Sequence, residues 1–369
     1  MSTSKSRVQN PGRLPVAAFW LLAAIFLVGA VIFVQAIRGT NPLRAWQVFL
    51  VNFLFWSGIS QSGAVFLAIL QVTNAGWGQP LKGIAARVTA FLPISFLLFF
   101  LLYLGRESIF PWIGNPIPEK AIWLNFPFLF VRDGIGLAIL TAGSLVLILS
   151  RYGKGRLFAS VFLLVYVLVY SLIGFDLVMS LDPHWYSTLF GAYFFMSSLY
   201  LGLAALGVLS VLSKKYLMAE MEISPAHFHD LGKLLFAFCM LTGDFLWSQF
   251  AVIWYGNISE ETEYVILRTM GMPWAPLAWA VLIGSFIVPF FVLLSRRVKE
   301  NPWSHLGVAS VVLIGMWFER YLLVVPSLWR GESLPLGWLE LFITLGFFAA
   351  FALTYITFGQ ALKDFSVGK

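Results

Sequence analysis

Residues 174–191 read GFDLVMSLDPHWYSTLFG, and they join two long apolar runs. LFASVFLLVYVLVYSLIG (157–174) precedes them and AYFFMSSLYLGLAALGVLSVL (192–212) follows, each long enough to cross a bilayer at about 20 residues per crossing. The stretch is therefore a turn between two spans. The expected connection is residues 181–185, with Pro183 stopping one helix and freeing the chain to reverse. Asp182 suits such a turn, and Trp185 and Tyr186 suit the boundary between membrane and water, where an amphipathic ring is half wet. Asp176 is different. It lies about two turns inside the apolar run, where an ionised group costs on the order of 2.5–3.5 kcal/mol. A bare membrane anchor has no use for it.

The rest of the chain has the same texture. Hydrophobic residues make up 60% of it and charged residues 11%, against about 25% charged in a soluble domain. The class is an all-α polytopic membrane protein, read as one integral domain over 1–369. Ten transmembrane helices are expected at 15–37, 44–71, 81–104, 126–150, 157–181, 186–212, 228–255, 273–295, 303–325 and 336–360. A membrane β-barrel would show alternating segments of about ten residues instead. The polar N-terminus and the absence of a small-residue cleavage site after the first run predict no removable signal peptide.

Loop charges set the expected orientation. On the N-terminal side stand Lys5, Arg7, Arg13, Lys82, Arg151, Lys154, Arg156, Lys214, Lys215, Arg296, Arg297, Lys299, Lys363 and Lys369; opposite them stand Arg38, Arg44, Arg106, Lys120, Arg268 and Arg330. Fourteen against six puts both termini in the cytoplasm by the positive-inside rule. Asp182 and His184 are then outside, as is the acidic group Glu260, Glu261 and Glu263. The net charge of +7 is a loop property and calls for no nucleic acid. The two longer outer loops, 105–125 and 256–272, read either as docking surfaces or as ordinary solvated loops.

With depth assigned at about 1.5 Å per residue, the outer halves of four helices carry Arg132 with Asp133, Asp176, Asp244, and Glu319 with Arg320. Each reads as a buried ion pair, a side chain reaching the interface, or part of a polar cavity opening outward. An inner set begins the seventh helix: His227, His229, Asp230 and Lys233. Asp230 and Asp244 are about 40° short of four full turns apart and share a face that joins the two sets. Ser57, Ser60, Gln61 and Ser62 in the second helix read as water-binding groups between them or as small polar packing residues.

Other chemistry finds little footing. Cys239, the single cysteine, excludes an internal disulfide framework and a cysteine-held iron–sulfur cluster on this chain. The histidines are not placed as facing ligands at one depth, so no haem or metal is expected here. His184 and His305 read as loop or helix-end residues. No phosphate-binding loop or nucleophile elbow occurs, so catalysis by this chain alone is not expected.

Four segments carry a resemblance: FDLVMSLDPHWYSTLFGAYFF (175–195), HDLGKLLFAF (229–238), SQFAVIWYGNISEET (248–262) and FERYLLVVPSL (318–328). They resemble the ActF subunit family of alternative complex III, a bacterial quinol:cytochrome c or quinol:oxidase oxidoreductase. The likeness is strong over helices 5–9, and the ten-helix layout extends it along the chain. This sequence departs from the family pattern at Ser259, where proline is usual, and around Asp244. The resemblance implies a membrane subunit of the NrfD/polysulfide-reductase type in the bacterial inner membrane. It implies two four-helix bundles, helices 2–5 and 6–9, with helices 1 and 10 peripheral. Expected partners are a paralogous quinol-binding membrane subunit, an iron–sulfur subunit and c-type cytochrome subunits. Haem c and iron–sulfur clusters then reside on those partners, while quinone binding by this chain is left open. Mapped onto this sequence, the implied proton path runs through His227, Asp230, Lys233, Asp244, Asp176, Asp133 and Glu319, with Arg132, Arg320 and His184 beside it. A secondary transporter, a purely structural scaffold and a quinone-binding NrfD-type subunit of another oxidoreductase are the competing readings. The transporter requires helix breaks at matching places in two halves.

Overall fold

A computed structural model of the chain describes residues 16–39, 42–150, 155–213, 222–329 and 331–367. Lys5, Arg7, Arg13, Arg151, Lys154, Lys214, Lys215, Arg330 and Lys369 of the charge count lie outside the described residues. Those described residues are helical with short connections and contain no strand. Ten helical segments are long and apolar enough to cross a membrane. They are α1 (Val16–Arg38), α2 (Pro42–Val72), α3 (Gly76–Leu101), α4 (Phe126–Leu149), α5 (Arg156–Leu181), α6 (Phe190–Leu212), α7 (Pro225–Gly256), α8 (Trp274–Leu294), α9 (Pro302–Leu328) and α10 (Trp338–Val367).

The ten expected helices coincide with these spans, with the largest end differences at the start of α3, the start of α6 and the end of α10. α5 is α-helical only to Leu177, then tightens into a 3-10 turn over Met179–Leu181, and α6 does not begin until Phe190. The connection is thus longer than 181–185. Trp185 uses that slack to fold inward, where it is buried instead of half wet, while Tyr186 stays exposed as expected.

Proline interrupts two of the spans. α3 is composed of a 3-10 turn containing Pro80, a helix to Thr89, and a second helix from Leu92 with Pro93 in its first turn. α8 opens into a π-turn over Ile283–Ile287, just before Pro289. There the Tyr200 hydroxyl donates to the Ser285 carbonyl at 2.7 Å.

α2 is buried along nearly its whole length, which explains why it is apolar on every side. It packs on α3, α5, α6, α9 and α10. α6, the second central helix, packs on α2, α5, α7 and α9. α1 packs mainly on α10, and the two meet where Gly29 faces Gly346, a Cβ on Gly29 being 2.8 Å from the Gly346 Cα. Asn52 pins α2 to late parts of the chain. Its amide donates to the Thr344 hydroxyl of α10 at 3.0 Å, and its oxygen accepts from the Trp317 indole of α9 at 3.3 Å.

Candidate functional site

The first polar cluster forms where α4 starts and α5 ends. Asn125 caps α4 by accepting from the Phe128 N–H at 3.3 Å, which places Arg132 and Asp133 in its second turn. Asp176 reaches them from α5. The Arg132 guanidinium holds its carboxylate in a two-armed grip, Nε to Oδ2 at 2.6 Å and Nη2 to Oδ1 at 2.5 Å. The Trp123 indole donates a third hydrogen bond to Oδ1 at 3.0 Å, and its ring lies 4.0 Å from the guanidinium carbon. Asp176 is fully buried, and Arg132 is only partly exposed. A planar fork matched to a carboxylate is the strongest geometry open to such a pair. Asp133 is also buried, next to Asp176, but neither of its oxygens accepts a hydrogen bond from the described residues. A buried carboxyl without a donor is costly to keep ionised.

The second cluster is built around Glu319 and Arg320 of α9. Arg320 donates from Nη1 to both Glu319 oxygens, at 3.0 and 2.9 Å, and from Nη2 to the hydroxyls of Ser197 and Ser198, at 2.9 and 3.0 Å. The Tyr193 hydroxyl closes the other side of Glu319 at 2.6 Å. α6 supplies Tyr193, Ser197 and Ser198 at i, i+4 and i+5, one helical face. From there polar groups run on into α2: the Ser62 hydroxyl donates to the Ser198 carbonyl at 2.8 Å and to Gly58 at 2.7 Å. Ser60 bonds back to the Trp56 carbonyl at 2.7 Å, the Tyr170 hydroxyl reaches the Ser57 carbonyl at 2.9 Å, and Gln61 reaches Ser144 at 3.3 Å. Of the α2 serines, Ser62 ties α2 to α6 through its hydroxyl, while those of Ser57 and Ser60 bond back within α2. Their hydroxyls find protein partners, and Gly202 lies against Ser62 with no room for a Cβ.

The connections at the Asp182 end of the spans roof over these clusters. Lys120 donates to the Pro183 carbonyl at 2.6 Å, joining two of them. A short helix, Ser259–Thr269, follows α7 and carries the third. Its Tyr264 ring stacks on Trp185 at 3.7 Å and on the Arg268 guanidinium at 3.4 Å. Arg268 donates to the carbonyls of Leu322 and Tyr264, both at 3.0 Å, and to the Ser327 hydroxyl at 2.6 Å. Burial raises the Tyr264 hydroxyl and lowers the Arg268 guanidinium from their ordinary values. Sequence reasoning counted Arg268 as a loop charge and missed it as a buried anchor. The tyrosine four residues before it was the available signal, since residues so spaced share a helix face.

The inner residues are arranged differently. Asp230 and Lys233 pair at 2.6 Å, and both are partly exposed. His227 serves as a helix cap, its Nδ1 accepting from the Ser224 N–H at 2.9 Å. His184 is exposed in the connection between α5 and α6. Asp244 faces outward from α7 and meets none of the buried acids; the shared face with Asp230 does not bring it to the two clusters. His305 does lie in the first turn of α9, as read above, and is buried there beside Phe228 and Gly207; neither ring nitrogen has a partner among the described residues. Among those residues no group of three or more His, Cys, Asp or Glu side chains converges for a metal.

No family model matches the chain, and a search of curated proteins returns no match.

Proposed function

We propose that this chain is a membrane subunit of a quinol-oxidising respiratory complex of the alternative complex III type, and that its buried acids relay protons. The observation that supports the relay is Asp133, a buried carboxyl that accepts no hydrogen bond and sits beside the Arg132-held Asp176. A group that takes up and releases protons must not be locked by a permanent donor, and Asp133 alone of the buried outer acids has that freedom. Glu319, held by both Tyr193 and Arg320, lacks that freedom and serves the second cluster as a fixed partner. The respiratory complex, its iron–sulfur and cytochrome c partners and a bacterial plasma-membrane location rest on the resemblance described above. Termini in the cytoplasm rest on the loop charges. The two four-helix units, α2–α5 and α6–α9, with α1 and α10 beside them, rest on the same resemblance.

A transporter fits less well. The interrupted spans α3 and α8 are the second of one four-helix unit and the third of the other, not matching places.

The test is purification from the native membrane followed by proton counting. The intact complex should contain haem c and iron–sulfur subunits, and Asp133→Asn should leave that composition unchanged while lowering protons translocated per electron. Purification without redox partners rejects the complex. Unchanged stoichiometry in Asp133→Asn, with normal assembly, rejects the relay.

A further inference from the structure

Asp244 is the one acid of the outer set that points away from the molecule. It lies three to four residues past the middle of the 32-residue α7, about 5 Å along the axis. A hydrocarbon core about 30 Å thick then leaves its carboxylate about 10 Å from the nearer headgroups. Its surroundings are apolar. Met240 and Trp247, one turn to either side, are 50% and 65% exposed, and α8, which packs on α7, exposes Trp279 and Phe291 at 55% and 64%. No described residue pairs with Asp244. Ionisable groups in spans face the bundle interior, a water-filled cavity or a partner, because lipid offers them nothing. Its short side chain cannot reach the interface as lysine or arginine does.

We infer that this face of α7 is covered by a transmembrane helix of a different chain, and that this helix presents an arginine or lysine to Asp244 at the same depth. Charge selects that occupant. A second copy related by a twofold axis along the membrane normal would set Asp244 against Asp244. The exposed cation of the same helix, Lys233, is eleven residues away, about 16 Å along the axis, and so cannot serve a second copy at that depth. The exposed part of α8 offers no cation. The inference holds for any multisubunit membrane assembly and does not rest on the quinol-oxidising reading.

The test uses the full chain in its native membrane, with the photoreactive benzoylphenylalanine in place of Trp247. Irradiation should give one protein adduct. Its crosslinked peptide, mapped by mass spectrometry, should be a transmembrane segment with an arginine or lysine within one turn of the attachment point. Asp244→Lys should lower that adduct roughly tenfold, as like charges replace the pair, and Asp244→Asn should lower it less. An adduct to a second copy of this chain overturns the inference. So does an adduct to lipid alone, one to a segment without a basic residue, or an unchanged yield in Asp244→Lys.

Discussion

Arg132 reaches from α4 to grip both oxygens of Asp176 on α5, at 2.6 and 2.5 Å, yet the two partners are unequally buried. The side chain of Asp176 is 0% exposed and that of Arg132 is 11% exposed. Removing either leaves the other alone, and the cost should differ accordingly. Arg132→Leu strands a fully buried carboxylate at about 3–5 kcal/mol. Asp176→Leu strands a guanidinium that can turn toward the interface on its long stem, and it should cost less. The double variant Arg132→Leu/Asp176→Leu should recover part of the loss. Thermal unfolding of the detergent-solubilised protein reads all three, and equal losses from the two single variants would contradict the asymmetry.

The contact between α2 and α6 should be intolerant of one added carbon. A Cβ at Gly202 falls 2.0 Å from the Ser62 Cβ, whereas one at Gly307 meets nothing within 4 Å. Gly202→Ala should destabilise by about 1–3 kcal/mol through overpacking. Gly307→Ala should be neutral, or stabilising by up to about 1 kcal/mol, because alanine restricts the unfolded backbone. Comparable unfolding temperatures for the two variants would show that the helices separate without cost.

Arg268 should act as a pin for the short helix Ser259–Thr269. Lysine keeps its charge but lacks the planar fork that serves Leu322, Tyr264 and Ser327 together while stacking under Tyr264. Hydrogen exchange across residues 259–269 should therefore quicken in Arg268→Lys while α9 stays protected. Unchanged exchange would mean that the Trp185–Tyr264 stack alone holds the helix.

Alkaline stability should depend on Tyr264. Burial raises its hydroxyl above the ordinary value of about 10. A raised group gives its full stabilisation below the unfolded value and loses it as pH climbs toward the folded one. The stability difference between the wild type and Tyr264→Phe should thus shrink in favour of the variant as pH rises past about 10. Unfolding temperatures compared at neutral and alkaline pH test this, and parallel curves would count against it.

The spans were legible because crossing a membrane requires long apolar runs, and their ends followed from proline and charge. Arg132, Asp176, Glu319 and Arg320 were legible for the complementary reason, being charges where none is cheap. Which way a helix faces was not. Lipid and protein interior are equally apolar, so α7 gave no sign that Asp244 looks outward and that its alignment with Asp230 joins nothing buried. Arg268 and Arg44 were hidden by position, since basic residues beside a span read as loop charges. Arg44 in fact pairs with the buried Glu340 of α10 at 2.6 Å. Trp185 was hidden by the length of its turn, which set free a ring expected at the interface to stack on Tyr264.

Asn52 adds a constraint in time. Its two partners on other helices, Trp317 and Thr344, follow it by 265 and 292 residues. At about 5–20 residues synthesised per second, the chain needs roughly 15–60 s after Asn52 leaves the ribosome to make them. Throughout that interval α2, the most enclosed of the described spans, sits in the insertion machinery or the bilayer with its amide bonded only back to the Val48 carbonyl of its own helix, at 3.0 Å. Completion of the central helix is thereby tied to arrival of the last one, and a nascent chain truncated before α10 is a substrate for membrane quality control.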